Sequence, residues 1–171
     1  NKVDHTNYIK ENFTGVDYNL IVNTSRGSVA RSIRYLDEES DSISHENNFV
    51  ECLRFAFLAK KSKAASLDLT KWSEKLASIS RDQQKDFLSY CSYLIREAML
   101  ISYSSKSLGS FSSNTDFKID KLSPFVHSSN LIEIISLIED CHYSISRNVN
   151  SKIVFTNFAI TLTKLINKEE V

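Results

Sequence analysis

Apolar side chains recur with the period of an α-helix through most of the chain beyond residue 48. The strongest of these stripes comprises Leu131, Ile134, Ile135, Ile138, Cys141, His142 and Ile145. Such spacing marks the one buried face of an amphipathic helix. Signals for β-hairpins are nearly absent, since only 3 Gly and 1 Pro occur in 171 residues. We therefore predict an all-α fold, a helical bundle preceded by short helices.

A long helix is predicted to begin after residues 80–83, SRDQ, which have the form of a capping box. In this motif the Ser80 hydroxyl accepts a hydrogen bond from the Gln83 amide, and the Gln83 side chain reaches back to residue 80. Ser80 and Gln83 are therefore predicted to be structural caps.

The polar segment 147–150, RNVN, separates the last two apolar-striped stretches. Asn150 is a good N-cap for the last helix, and Asn148 tolerates the left-handed conformation that ends the helix before it. Arg147 complements the dipole of that preceding helix. Because the turn is short, we expect the two helices to pack antiparallel.

Charge and hydropathy limit the function classes. The chain carries 21 basic and 21 acidic side chains, whereas a domain that grips a nucleic-acid backbone unaided usually has a basic excess. The basic stripe Lys60, Lys61 and Lys63 is the one local exception. We find no apolar run that would span a membrane and no leader peptide. We expect a cytoplasmic chain and, since it begins at Asn1, a fragment of a longer protein.

The cysteines and histidines form no recognisable catalytic or metal-binding motif. Cys52, Cys91 and Cys141 each lie in an apolar helical pattern, as reduced buried thiols do. Cys141 adjoins His142, but a metal or nucleophile site would need further ligands, such as CxxC or HExxH, which are absent. Three histidines are interpreted as surface residues: His5, His45 and His127. We assign no catalytic, cofactor-binding or metal-binding residue, and expect no enzyme activity and no cofactor.

Two further features leave alternatives open. Trp72, on an amphipathic stretch, is interpreted as a core residue, with a peptide-binding anchor as the alternative. Arg96 and Glu97 interrupt the apolar pattern of the long helix. They are interpreted as an ion pair, either solvated or between helices, with a contact between subunits as the alternative.

Three segments resemble AAA+ clamp-loader subunits. The last helix of the AAA+ lid in such subunits is similar to GSVARSIRYLDEE (27–39). The delta-prime subunits of DNA polymerase III, in the form typical of Bacteroidetes-like bacteria, resemble WSEKLASISRDQQKDFLSYCSYLIREAML (72–100). The terminal element of that family is similar to SRNVNSKIVFTNFAITL (146–162). Together the resemblance covers nearly the whole chain.

The resemblance implies the end of an AAA+ lid at 1–42 and a clamp-loader collar, an oligomerisation domain, at 43–171. In this family the collars pack into a ring that joins the delta, delta-prime and gamma/tau subunits. The ring holds the modules that load the sliding clamp on primed DNA during replication. The implied partners are therefore gamma/tau and delta, with the clamp and DNA reached only through the whole complex. Delta-prime usually lacks ATPase activity, and we assign no nucleotide-sensing role to Arg31.

A collar subunit needs apolar surface for its neighbours, and the last predicted helix is apolar on more than one side. Phe155, Phe158 and Leu162 form its main stripe, while Ile153 and Ile160 lie off it. We expect a subunit interface at Arg147 and these three stripe residues. Two alternatives stay open: the helix is the fully buried centre of the bundle, and Arg147 serves only its turn.

Two other functions are compatible with the sequence. The chain could be the collar of another clamp-loader subunit, delta or gamma/tau, since the architecture is shared. From a different class, it could be a helical nucleic-acid-binding or regulatory domain that uses the lysine stripe at 60–63.

Overall fold

The computed structural model describes residues 39–59, 62–103, 113, 115 and 117–169. Its elements are α1 (Glu39–Ala59), α2 (Lys63–Ser78), α3 (Arg81–Tyr103), two short 3-10 helices, η1 (Ile119–Lys121) and η2 (Ser123–Phe125), α4 (Leu131–Ser146) and α5 (Ser151–Ile166). All regular structure in this part of the chain is helical, which confirms the predicted all-α fold.

Several predictions concern residues outside the described ranges. These are the short helices before residue 39, the surface position of His5, Arg31, to which no sensing role was assigned, and the first two lysines of the basic stripe, Lys60 and Lys61. The predicted boundary between positions 42 and 43 falls inside α1, which begins at Glu39 and runs on without a break.

The helix α5 lies at the middle of the bundle and packs against α1, α2 and α4, while α3 packs against α1 and α4. The last two helices are antiparallel, as expected. Lys168, just beyond the end of α5, donates from Nζ to Glu133 in the first turn of α4 at 2.6 Å. The same ammonium donates to the Ser129 carbonyl at 2.7 Å.

An aromatic cluster fills the space between α2, α3 and α5. Trp72 stacks on Phe158 with ring centroids 6.1 Å apart and meets Phe155 edge-on at 6.2 Å. Phe87 contacts both Trp72 and Phe155. The indole N–H of Trp72 donates to the Asn48 carbonyl of α1 at 2.8 Å. Trp72 is therefore a core residue, as interpreted, and its one polar atom is satisfied internally.

The predicted caps are confirmed. The Gln83 amide donates to the Ser80 hydroxyl and the Ser80 amide donates to Gln83 Oε1, both at 3.2 Å, which is a reciprocal capping box. Asn150 Oδ1 accepts from the amides of residues 152 and 153 at 3.0 and 3.3 Å. Asn148 has φ of 63°, the left-handed conformation expected where α4 ends.

The interpretation of two histidines as surface residues is wrong. His45 packs beside the ring of Phe87, with centroids 6.1 Å apart, and is buried. His127 is buried in the loop before α4, where its Nε2 lies 3.1 Å from the Lys168 carbonyl oxygen. Both side chains are covered by elements distant in the chain, α3 for His45 and the end of α5 for His127. The sequence does not display such contacts.

A buried amide holds the end of α5 onto the loop that precedes α4. Asn130 is fully buried, and its Nδ2 donates to the carbonyls of Phe125 and Leu165 at 2.9 and 3.0 Å. Its Oδ1 accepts from the amide of His127 at 3.0 Å. The residues before this loop form the two 3-10 turns, with Pro124 in the first turn of η2, where its missing N–H costs no hydrogen bond.

None of the helices in the described ranges combines the length and the apolar character needed to cross a bilayer.

Candidate interaction surface

The inward side of α5 is formed by the residues that were expected at a subunit interface. Phe155, Phe158 and Leu162 have no exposed surface, since they are enclosed within the hydrophobic core of this chain. A neighbouring subunit cannot touch these side chains while the bundle is folded. Their assignment as contact residues is corrected: they support the helix from within.

The outward side of α5 also carries large apolar side chains. Ile153 is 66% exposed and Ile160 is 49% exposed. They are seven residues apart, about two helical turns, and so lie on the same side of the helix. The helix is thus apolar on two sides, with the core on one and solvent on the other. Two exposed isoleucines on one side of a helix make that side a candidate docking face.

The outward side of α5 borders a groove of about 650 Å³ that lies mainly between α2 and α5. It is lined by Ala59, Ser66, Leu69, Thr70, Thr156, Ala159, Ile160, Thr163, Lys164 and Asn167. The two helices run antiparallel, because Glu74 near the end of α2 pairs with Lys152 at the start of α5 at 2.7 Å. Ile160 thus belongs both to the groove and to the exposed stripe.

The turn between α4 and α5 is clamped by a side chain from another helix. Arg81, the first residue of α3, donates from one guanidinium nitrogen to the carbonyls of Ile145 and Val149, both at 3.2 Å. The other terminal nitrogen donates to the Asn148 carbonyl at 3.5 Å, so the fork of the guanidinium satisfies backbone oxygens at the end of α4 and in the turn. The clamp fixes the angle at which α5 leaves the turn.

Arg147, the remaining predicted interface residue, is exposed in this turn. Its guanidinium carbon lies 5.2 Å from the centroid of the Tyr143 ring, one helical turn earlier. Tyr143 is itself largely exposed. A cation over an exposed aromatic ring is held weakly and stays accessible to a partner. A contact between Arg147 and a neighbour stays a prediction.

The three cysteines are reduced, and all are buried in the core. Burial raises the pKa of the Cys91 thiol, and the neighbouring thiols of Cys52 and Cys141 raise it further. The three thiols therefore lie near one another although they are far apart in sequence. Among the described residues, no group of three or more His, Cys, Asp or Glu side chains is arranged to hold a metal ion.

The Arg96–Glu97 pair does not form the salt bridge that the sequence suggested. The two side chains point to different surroundings, since Arg96 is exposed and Glu97 is only 4% exposed. Glu97 Oε2 has no hydrogen-bond partner. Adjacent helical residues point about 100° apart, which explains the separation.

Two polar residues with a central structural role were missed by the sequence analysis. Gln84 is 1% exposed, and its Nε2 donates to the carbonyls of Leu76 and Ile79 at 3.1 and 2.9 Å. Glu46 is fully buried in α1 and accepts a hydrogen bond from the Tyr90 hydroxyl at 2.8 Å. It also accepts hydrogen bonds from the hydroxyls of Ser113 and Thr115. The signal in the sequence that could have indicated their burial is a polar residue within an apolar helical pattern.

In its described part the chain is an all-helical bundle with an exposed apolar stripe on α5 and an adjoining groove. No protein-family model, curated protein or solved structure matches this chain.

Proposed function

We propose that this chain is a non-catalytic assembly module of a replicative clamp loader. Its helical collar packs against the gamma/tau and delta subunits, so that the complete complex loads the sliding clamp on primed DNA. The proposal combines the resemblance of the three sequence segments to delta-prime subunits with the exposed face of α5.

The observation that carries the proposal is the two-sided apolar character of α5. Phe155, Phe158 and Leu162 anchor the helix in the core, while Ile153 and Ile160 face solvent on another side. A collar subunit has to present a rigid apolar surface to a neighbour, and α5 is held rigidly because it packs against three other helices.

The resemblance of residues 146–162 gains support from their local structure. The Asn150 cap and the left-handed Asn148 fix the start of α5, and Arg81 holds the turn from outside. Such a turn sets the direction of the helix that carries the exposed isoleucines. In this proposal Arg147 lies at one end of the interface and is the charged candidate for contact with a neighbour.

The experiment is co-elution in size-exclusion chromatography of this chain with the gamma/tau and delta subunits of the same organism. We expect a complex with the wild-type chain and a much weaker one with the Ile153→Ser/Ile160→Ser variant. Ile132→Ser is the matched control, since Ile132 is 78% exposed but lies on α4. If only the control variant Ile132→Ser failed to form the complex, the interface would lie on another face, one that includes α4.

Mixing the chain with both subunits also distinguishes the proposed function from the alternative functions. A complex with gamma/tau but not delta, with more than one copy of this chain, would favour the collar of a different clamp-loader subunit. No complex with either subunit, but salt-dependent binding of the chain to primed DNA, would favour a nucleic-acid-binding domain.

A further inference from the structure

The groove between α2 and α5 has walls that are more apolar than their composition suggests. Four of its lining residues carry hydroxyl groups: Ser66, Thr70, Thr156 and Thr163. Three of these hydroxyls are engaged within the chain. Thr70 donates to the Ser66 carbonyl, Thr163 donates to the Ala159 carbonyl, and Thr156 pairs with Ser73. The threonines are therefore free to offer methyl groups to the groove.

Most of the side chains that line the groove on α2 and α5 are small. Ser66 and Thr70 of α2 face Thr156, Ala159 and Thr163 of α5. Small side chains on two antiparallel helices allow the ridge of a third helix to approach closely. The apolar stripe of an amphipathic helix is the ligand that such a groove fits.

The length of the apolar surface also favours a helix over a small molecule. The groove includes Ile160, and the exposed stripe continues to Ile153, which is about 10 Å further along α5 at 1.5 Å per residue. On the α2 side, Leu67 is likewise exposed, next to the groove residue Ser66. Surface of this extent is matched by several turns of a partner helix.

The charge of the groove indicates what that helix carries. Lys164 is the one charged residue among those that line it. The other described lysine side chains of α2 and α5 are paired, Lys71 with Asp68, Lys75 with Glu51 and Lys152 with Glu74. Within the described residues Lys164 has no carboxylate partner, so its ammonium is available to an acidic side chain from outside.

We infer that this groove receives one amphipathic helix of a neighbouring subunit, with its apolar stripe along α2 and α5 and an Asp or Glu against Lys164. The inference rests on the proposed function for the identity of that neighbour. It adds the face that is used and the chemistry of the partner.

The test is zero-length cross-linking of the chain mixed with the gamma/tau and delta subunits. A water-soluble carbodiimide joins a lysine amine to a carboxylate in direct contact, forming an amide while the reagent leaves as its urea. Peptide mass spectrometry is expected to find Lys164 joined to an Asp or Glu of one partner subunit. The link should vanish in Lys164→Gln and persist in Lys71→Gln.

A second variant tests the groove without touching Lys164. Thr70 is exposed, so Thr70→Tyr is expected to leave the fold intact while its ring occupies the groove. We expect at least a tenfold weaker complex. Ser89→Tyr, at an exposed position on α3, is the control and should bind as the wild type does.

The outcomes distinguish failure of the inference about the groove from failure of the proposed assembly function. A stable complex without a Lys164 cross-link, and unaffected by Thr70→Tyr, would overturn the groove assignment and leave the assembly function standing. Absence of any complex would overturn both. A Lys164 cross-link between two copies of this chain would also overturn the inference, since the occupant would then be a second copy.

Discussion

The Ser151 hydroxyl at the start of α5 donates to Oε1 of the buried Gln84 side chain at 2.8 Å. The amide nitrogen of the same side chain donates to carbonyls at the end of α2. One glutamine of α3 thus joins the end of α2 to the beginning of α5. This junction holds the two helices whose outer faces form the groove.

Loss of the Gln84 amide should destabilise the whole bundle. Gln84→Leu leaves the buried carbonyl of Leu76 and the partly buried Ile79 carbonyl and Ser151 hydroxyl without this partner. We expect the free energy of unfolding to fall by about 2–3 kcal/mol, measured by urea denaturation. Ser89→Ala on the exposed side of α3 should change it by less than about 0.5 kcal/mol.

A double-mutant cycle isolates the contact between Gln84 and Ser151. Gln84→Ala, Ser151→Ala and the double variant are expected to give a coupling energy of about 1 kcal/mol, since each single change removes the same hydrogen bond. Additive effects within error would mean that the junction contributes nothing beyond its separate residues.

Removal of the Arg81 clamp should loosen the turn between α4 and α5. In Arg81→Ala, amide hydrogen exchange at Asn148 and Val149 is expected to accelerate, because the carbonyls around them lose the guanidinium. The global loss of stability should be about 1–2 kcal/mol. Arg81→Lys keeps the charge but not the fork, and we expect an intermediate effect. Unchanged exchange in the turn would refute the clamp.

The Asn150 cap should be measurable by itself. Asn150→Ala removes the acceptor for two amides of the first turn of α5 and is expected to cost about 1 kcal/mol, seen as a lower melting temperature. Asn150→Asp retains an oxygen acceptor in the same position and should melt close to the wild type. Equal melting temperatures for Ala and wild type would contradict the cap.

The buried thiols should be unreactive in the folded chain. Burial, with the nearby Asp140 charge, raises the pKa of Cys141 to about 12. At pH 8 only about one Cys141 in 10,000 is then a thiolate, the reactive form. Ellman's reagent is expected to react with the three thiols only after unfolding in urea. Rapid reaction of a thiol in native conditions would show that the core is open.

The same pKa shift gives a direction for alkaline stability. An unfolded cysteine loses its proton near pH 8.5, whereas folded Cys141 keeps it to about pH 12. The stabilisation present below about pH 8.5 is therefore lost progressively as the pH rises toward 12. Cys141→Ala should show a smaller decrease over this range, and equal slopes for both proteins would contradict the shift.

Much of the fold was predictable because it follows from local patterns. The apolar stripes indicated helices through most of the chain beyond residue 48, and the motifs around Ser80 and Asn150 indicated where two of them start. These features depend on neighbours three or four residues away in the chain, which a sequence displays directly.

What was missed depends on contacts between distant segments. His127 lies in a loop and is buried by residues of other elements, so no local pattern distinguishes it from a surface residue. Gln84 stands within an apolar helical pattern, but its polar side chain does not by itself show that the position is buried. The interface assignment was wrong because the sequence does not show which apolar side of α5 the rest of the bundle covers. The regular stripe of Phe155, Phe158 and Leu162 is the core side, and the off-stripe residues Ile153 and Ile160 are the exposed ones.

The most direct test of the assembly function is native mass spectrometry of this chain mixed with the gamma/tau and delta subunits of the same organism. The account predicts a defined hetero-oligomer that contains one copy of this chain. A spectrum in which this chain appears only in its free form, whether or not the partner subunits assemble, would contradict it.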